Sequence, residues 1–177
     1  MLRWAPILLL LAACRSNRIP TQIQWNEERA AEAPVMALEP LPLPKGYMAP
    51  VIEYRVDDRA GVFSDETRRQ MQIRLVELFV ETGVPVTMLV VPAAAPITID
   101  QLSVHVAERN HIEGALIILA VEERDMRILL GPKAVELVKG QDVAARVMEE
   151  VTPHLTEENY ATALTHAVRT LDSALRQ

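Results

Sequence analysis

The sequence predicts an α/β domain over residues 51–177: a three-layer-like sandwich in which a small mixed β-sheet of about four strands is flanked by four to five helices. Two observations carry that reading. Val84 to Val91 and Ala115 to Val121 are almost continuously apolar and β-branched, the pattern of strands covered on both faces. Between and around them, apolar residues recur at helical spacing inside segments that begin and end on recognisable caps. The whole chain is 50% apolar and 24% charged, the composition of a globular protein.

The elements follow in order. Val51 to Val56 holds β-branched residues with some alternation and predicts a first strand. Ser64 is a natural N-cap, with Asp65 and Glu66 in the first turn, where negative charge meets the helix dipole favourably. Met71, Leu75, Leu78 and Phe79 then mark one helical face, and Gly83 ends it. A second helix is expected to begin near Thr98 and to turn Ile99, Leu102 and Val106 to the core. After the 115–121 strand, Glu122 to Asp125 makes a charged turn into Arg127 to Leu130, a hairpin. Pro132 starts and Gly140 stops a short helix over Lys133 to Lys139. Two more helices are expected, Asp142 to Leu155 with Val143, Val147 and Val151 inward, and Glu158 to Leu175 with Leu164, Val168, Leu171 and Leu175 inward.

Ahead of this unit the chain has another character. Met1-Leu2-Arg3 supplies one positive charge, and Trp4 to Ala13 is an apolar run broken only by Pro6. Such a run is too short to span the hydrocarbon, which needs about 20 residues, and suits the core of a secretory signal peptide at 1–13. Leu11-Ala12-Ala13-Cys14 resembles the lipobox of bacterial lipoproteins, which implies that Cys14 is acylated, as by palmitate, and becomes the first residue of a membrane-anchored chain. Arg15 after it lacks the Asp that resembles an inner-membrane retention signal. In a cell with two membranes that places the protein on the outer membrane, facing the periplasm. Residues 14–50 carry six prolines (Pro20, Pro34, Pro40, Pro42, Pro44, Pro50) and read as a semi-rigid tether.

Charge and cysteine content exclude several classes. Residues 51–177 hold 13 basic and 20 acidic side chains, a net of −7, with no basic face interleaved with aromatics, so nucleic acid is not an expected partner. One cysteine allows neither an internal disulfide nor a multi-cysteine metal site. With Cys14 acylated, the domain has no thiol nucleophile. Gly-x-Ser-x-Gly and the phosphate-binding glycine motifs are absent.

Several short segments together resemble the TPM domain family. Val56-Asp57-Asp58-Arg59-Ala60-Gly61-Val62-Phe63-Ser64 resembles its opening motif, and Thr82-Gly83-Val84-Pro85-Val86 its next helix stop and buried strand. Glu113-Gly114, Arg124-Asp125-Met126-Arg127-Ile128 and Asn159-Tyr160-Ala161 continue the match in order. The resemblance implies a compact extracytoplasmic module, often membrane-tethered. Its members are linked to photosystem repair, receptor-complex accessory roles, calcium binding and acid phosphatase activity. Carried over by position, it implies Asp57, Asp58, Glu113 and Asp142 as candidate metal ligands, since carboxylates from separate loops supply the oxygens calcium takes. The chain also departs from the pattern. The loop before the third strand is cut to His111-Ile112-Glu113, Gly131-Pro132-Lys133 replaces a Gly-aromatic-Gly, and Leu129 stands where a Glu is usual.

Each candidate has a structural role to set against a chemical one. Adjacent Asp residues before a helix serve most often as turn and capping groups. Glu113 reads as a solvated loop acid. His105, His111, His154 and His166 show no paired spacing. Arg124 and Arg127 are expected to pair with nearby acids, and Lys133 and Lys139 to solvate helix ends. The preferred function is therefore a non-enzymatic, lipid-anchored module that binds an envelope protein partner. The alternative is a calcium-binding module or acid phosphatase, the latter resting on resemblance alone.

Overall fold

The computed structural model describes residues 42–176. The signal segment, Cys14 and the tether up to residue 41 lie outside the described residues. Four strands form one sheet in sequential order: β1 (Val56–Asp58), β2 (Val86–Val91), β3 (Ala115–Ala120) and β4 (Asp125–Leu130). β1, β2 and β3 run parallel, with Val56 opposite Met88 and Val86 opposite Ala115, while β4 returns antiparallel with Ile128 opposite Ile117. The sheet is thus mixed, as the two apolar runs and the charged turn predict. Every residue of β3 is buried, which is why its sequence shows no alternation.

Alternate residues of the same strands feed two cores. Met88, Val90, Ile117 and Leu119 face one side, and Leu89, Val91, Leu116 and Ile118 the other. The first side is covered by α1 (Asp65–Thr82), α3 (Pro132–Val138), α4 (Val143–Thr156) and α5 (Tyr160–Leu175), the second by α2 (Ile99–Arg109). These are the three layers. Each fully buried Leu or Ile contributes roughly 1.5–3 kcal/mol of transfer free energy, and both the strands (Leu89, Leu116, Ile117, Ile118, Leu119) and the helices (Leu75, Leu78, Leu102, Leu164, Leu171) supply them.

The helices begin and end where their caps direct. Ser64 accepts from the Thr67 N–H, and Gly83 closes α1 with a left-handed φ of 73° and its N–H on the Phe79 carbonyl. Thr98 and Gln101 form a capping box that satisfies two donors at the start of α2. Gly131 precedes Pro132 at the start of α3, which ends with Lys139 and Gly140 both at positive φ. Asp142 caps α4 rather than opening it, its carboxylate accepting from the Ala145 N–H at 2.9 Å. α5 starts at Tyr160, two residues later than expected, because Glu158 takes a left-handed φ of 58° that no helix residue has. Asp172, 5% exposed, accepts from both Arg74 of α1 and Arg176, and Arg176 also pairs with Glu81. That buried carboxylate clamps α1 to α5.

The expected first strand at 51–56 is corrected. β1 begins at Val56, and the preceding segment leaves the sheet to lie on the side covered by α2. Its backbone groups are taken there by one side chain: Asn110, at the end of α2, accepts from the Ile52 N–H at 2.8 Å and donates to the Pro50 carbonyl at 3.0 Å. Only from the Arg55 carbonyl, which accepts from the Met88 N–H, does the chain join the ladder. Ala49 and Ile52 are thereby packed into the second core. Among the described residues no helix is long and apolar enough to cross a membrane.

Candidate functional site

The chain directs α1 and α2 to opposite sides of the sheet after β1 and β2, so the carboxyl ends of these two strands diverge. A crevice at such a switch point is where open α/β sheets bind their ligands. Three connections meet at this end of the sheet: residues 59–64, residues 92–98, and the turn from Val121 to Arg124.

Each of the first two loops is braced by one carboxylate. Asp58 Oδ1 accepts from the N–H groups of Gly61 and Val62 at 2.9 and 3.2 Å, and Oδ2 from Phe63 at 2.9 Å. Glu123 Oε1 accepts from the Ala94 and Ala95 N–H groups at 2.9 and 3.3 Å. Asp57 is held by the Arg59 guanidinium at 2.8 Å, and Arg59 also donates to the Val51 carbonyl. This ion pair keeps the Arg59 pKa raised above its ordinary value, chiefly through the hydrogen bond to Asp57. The turn is tied down as well, by Arg124 to Glu158 and by the Tyr160 hydroxyl donating to the Val121 carbonyl at 3.2 Å. Arg127 sits between Asp100 and Asp125, as a hairpin arginine with acidic neighbours should. What this end of the sheet offers a ligand is a set of braced loops, with Pro92, Ala95 and Pro96 exposed beside the charged Arg59, Glu122 and Arg124.

The four carboxylates singled out as metal ligands are not brought together. Asp58 is level with Val90, which is level with Leu119. Glu113 precedes Leu119 by six residues along the strand direction, so it stands roughly 20 Å away at the opposite end of the sheet. There it pairs with Lys133 at 2.5 Å, and that hydrogen bond holds its carboxyl below the usual range. Lys133, expected to be a solvated helix end, is thus a partner of the loop before β3. Among the described residues, no group of three or more His, Cys, Asp or Glu side chains is placed to hold a metal ion. Calorimetric titration of calcium into the chain is accordingly expected to give the same isotherm for the wild type and for Glu113→Gln.

One cluster is not legible in the sequence. The rings of His154 of α4 and His166 of α5 meet at a tilt of 49° with centroids 4.7 Å apart, and the buried Nδ1 of His154 has no hydrogen-bond partner among the described residues. Beside them Glu150 accepts from the Thr170 hydroxyl at 2.7 Å and from Arg169 at 3.3 Å. Glu150 and His154 are four apart on one helix, as His166 and Thr170 are on the next, but only the packing of α4 on α5 joins the two pairs. The Thr170 hydrogen bond, aided by Arg169, holds Glu150 below its ordinary pKa of 4.5. Its folded value being the lower one, the stabilisation is complete above the unfolded pKa and is lost as pH falls through the folded one. Urea midpoints measured downward from about pH 5 are expected to fall less steeply for Glu150→Gln than for the wild type.

A cavity of about 340 Å³ lies between α1 and α5 and is lined by Met71 and Val168 with Arg74 and Arg169 at its margin. Both arginines are already engaged, with Asp172 and Glu150.

The comparisons agree with this architecture. A family model described as the TPM domain matches residues 56–174. The chain is similar to the solved N-terminal domain of a protein from P. gingivalis, at 20% identity and a TM-score of 0.62, covering 68% of this chain and 81% of that one. It is also similar to the N-terminal domain of a Corynebacterium glutamicum protein, at 15% identity and a TM-score of 0.57, covering 75% and 86%. No relative among curated proteins matches it.

Proposed function

The chain belongs to the TPM domain family, and from that premise we propose that it is a lipid-anchored envelope protein whose domain binds a protein partner as an accessory module. Anchorage is through Cys14, with the outer membrane as its site and the periplasm as its compartment in a cell with two membranes. The observation that carries the binding role is the bracing of the switch-point loops. Asp58 gives both its oxygens and Glu123 its Oε1 to backbone N–H groups of residues 61–63 and 94–95. Loops held in one conformation before a partner arrives lose little entropy on binding, which favours recognition by shape.

The test is capture from detergent-solubilised membranes with the full-length acylated protein, repeated with Ala95→Arg, a change at an exposed loop position. A stoichiometric partner is expected for the wild type. The arginine is expected to cost about 2 kcal/mol of binding, roughly a thirtyfold loss of affinity, while the melting temperature stays the same. Capture that is indifferent to Ala95→Arg would place the interface elsewhere, and no partner at all would remove the accessory reading.

A further inference from the structure

Among the described residues eight large hydrophobic side chains stand exposed, and they are not scattered. Three, Met48, Val51 and Tyr54, belong to the segment that leads into β1. Four more lie on α1 between Ile73 and Val80; only Val135 is elsewhere. On α1 the residues Ile73, Val76 and Val80 follow at i, i+3 and i+7 on the side opposite the buried Met71, Leu75 and Leu78. Over its last two turns the helix is therefore apolar on a second face, interrupted by Glu77 and left exposed among the described residues. The two stretches meet where the Arg55 guanidinium lies over the Phe79 ring, 4.8 Å from its centroid.

Topology places this surface at one end of the molecule. α1 runs from the carboxyl end of β1 to the amino end of β2, so Val76, Phe79 and Val80 approach the amino ends of the parallel strands. The 48–55 segment feeds the amino end of β1. The switch-point loops lie at the other end of the strands, with the Arg59 side chain alone reaching back along the short β1 to the Val51 carbonyl.

We infer that this amino-end surface, built around Tyr54, Arg55, Phe79 and Val80, rests on the lipid surface to which the chain is anchored. The occupant follows from where the chain goes. Residues 42–55 follow directly on the Pro-rich segment read as a tether, and Cys14 is about 30 residues before them, which at about 3.1 Å per residue, the rise of a Pro-rich spacer, is a reach of at most about 90 Å. A surface at the root of such a tether stays within that reach of the membrane, so binding there is intramolecular and contacts too weak to hold a free protein are enough. The chemistry suits the boundary layer: a tyrosine with an apolar body and polar tip, an arginine whose charge sits over a ring, and aliphatic side chains beside them. In this pose the braced loops point away from the membrane, towards a partner.

The inference rests on the anchored reading proposed above, and one experiment separates the two. Because Cys14 is the chain's single cysteine and is consumed by acylation, Val80→Cys and, at the other end, Ala95→Cys each introduce one thiol for an environment-sensitive fluorophore. Both positions are exposed. The full-length acylated protein is reconstituted into phosphatidylethanolamine–phosphatidylglycerol vesicles carrying a lipid-borne quencher, and flotation is followed in parallel. The expected result is several-fold stronger quenching at position 80 than at 95, with a blue shift at 80 alone. Flotation with equal, aqueous signals at both positions overturns this inference and leaves anchorage standing. A signal at 80 that shifts only when solubilised envelope proteins are added overturns it in favour of a protein interface. Failure to float removes the anchored reading and this inference together.

Discussion

Gly114→Ala is expected to lower the unfolding free energy by about 4 kcal/mol, a large part of the roughly 5–15 kcal/mol typical of a domain. Gly114 is buried just ahead of β3, where the Pro85 carbonyl accepts from the Ala115 N–H at 2.9 Å. A Cβ on Gly114 would lie 1.9 Å from that oxygen and 2.8 Å from both the carbonyl carbon and Cδ of Pro85. These are backbone and ring atoms, which cannot swing aside as the end of a flexible side chain would. Relief requires moving β2 from β3, and that breaks the first bond between the two central strands. It also disturbs the Gly114 carbonyl, which accepts from the Gly131 N–H and sets the start of α3. Overpacking alone costs about 1–3 kcal/mol, and a buried donor left without its acceptor adds about 1–3 more. The control is Gly83→Ala: a Cβ there meets nothing within 4 Å, so only the left-handed backbone at φ 73° is penalised, by about 1 kcal/mol. Urea denaturation of the two variants against the wild type reads the difference. Equal losses would mean that the close approach at Gly114 does not constrain the fold.

The same glycine illustrates how far the sequence can be read. Glu113-Gly114 is visible as a turn ahead of an apolar run, but the reason for a glycine is Pro85, nearly 30 positions earlier, and emerges only when β2 and β3 are paired. Local signals are otherwise informative. Ser64, Thr98, Gly83 and the Pro132–Gly140 pair act on their own neighbours within a few residues, so caps and stops are legible along the chain. The two central strands are legible because burial on both faces leaves almost nothing polar in them. Residues 51–55 mislead because β-branched composition suits an extended strap as well as a strand, and the deciding group, Asn110, is more than 50 positions away. The carboxylates divide in the same manner. Asp57 and Asp58 act on atoms within five residues, as turn chemistry anticipates. Grouping them with Glu113 fails because each parallel crossover carries the chain back across the sheet before the next strand begins. The paired histidines require the packing of α4 on α5, which no spacing within either helix encodes.

Asp58→Ala is expected to cost about 3 kcal/mol, and Asp58→Asn not much less, because three backbone N–H groups converge on the two carboxylate oxygens. Val62 and Phe63 are half-buried, so water replaces the lost acceptors only in part. A hydrogen bond to a charged group contributes about 1.5–3 kcal/mol net, and some of that is recovered where solvent reaches Gly61. In the Asp58→Asn variant the amide oxygen still serves Gly61 and Val62, but the amide NH2 then faces the Phe63 N–H, donor against donor. Phe63 packs against the first core and Ser64 caps α1, so the loosened loop releases the start of that helix as well. Amide exchange at Gly61, Val62 and Phe63 should rise well above the global unfolding rate, while the amides of β2 and β3 keep their protection. A ligand role for Asp58 would give another pattern, with Asp58→Asn leaving stability and exchange unchanged while binding was lost. If the loop is instead a pre-organised contact surface, Asp58→Asn weakens partner capture through the entropy of a loop that must be re-ordered, and capture and exchange protection decline together across a series of substitutions at this position.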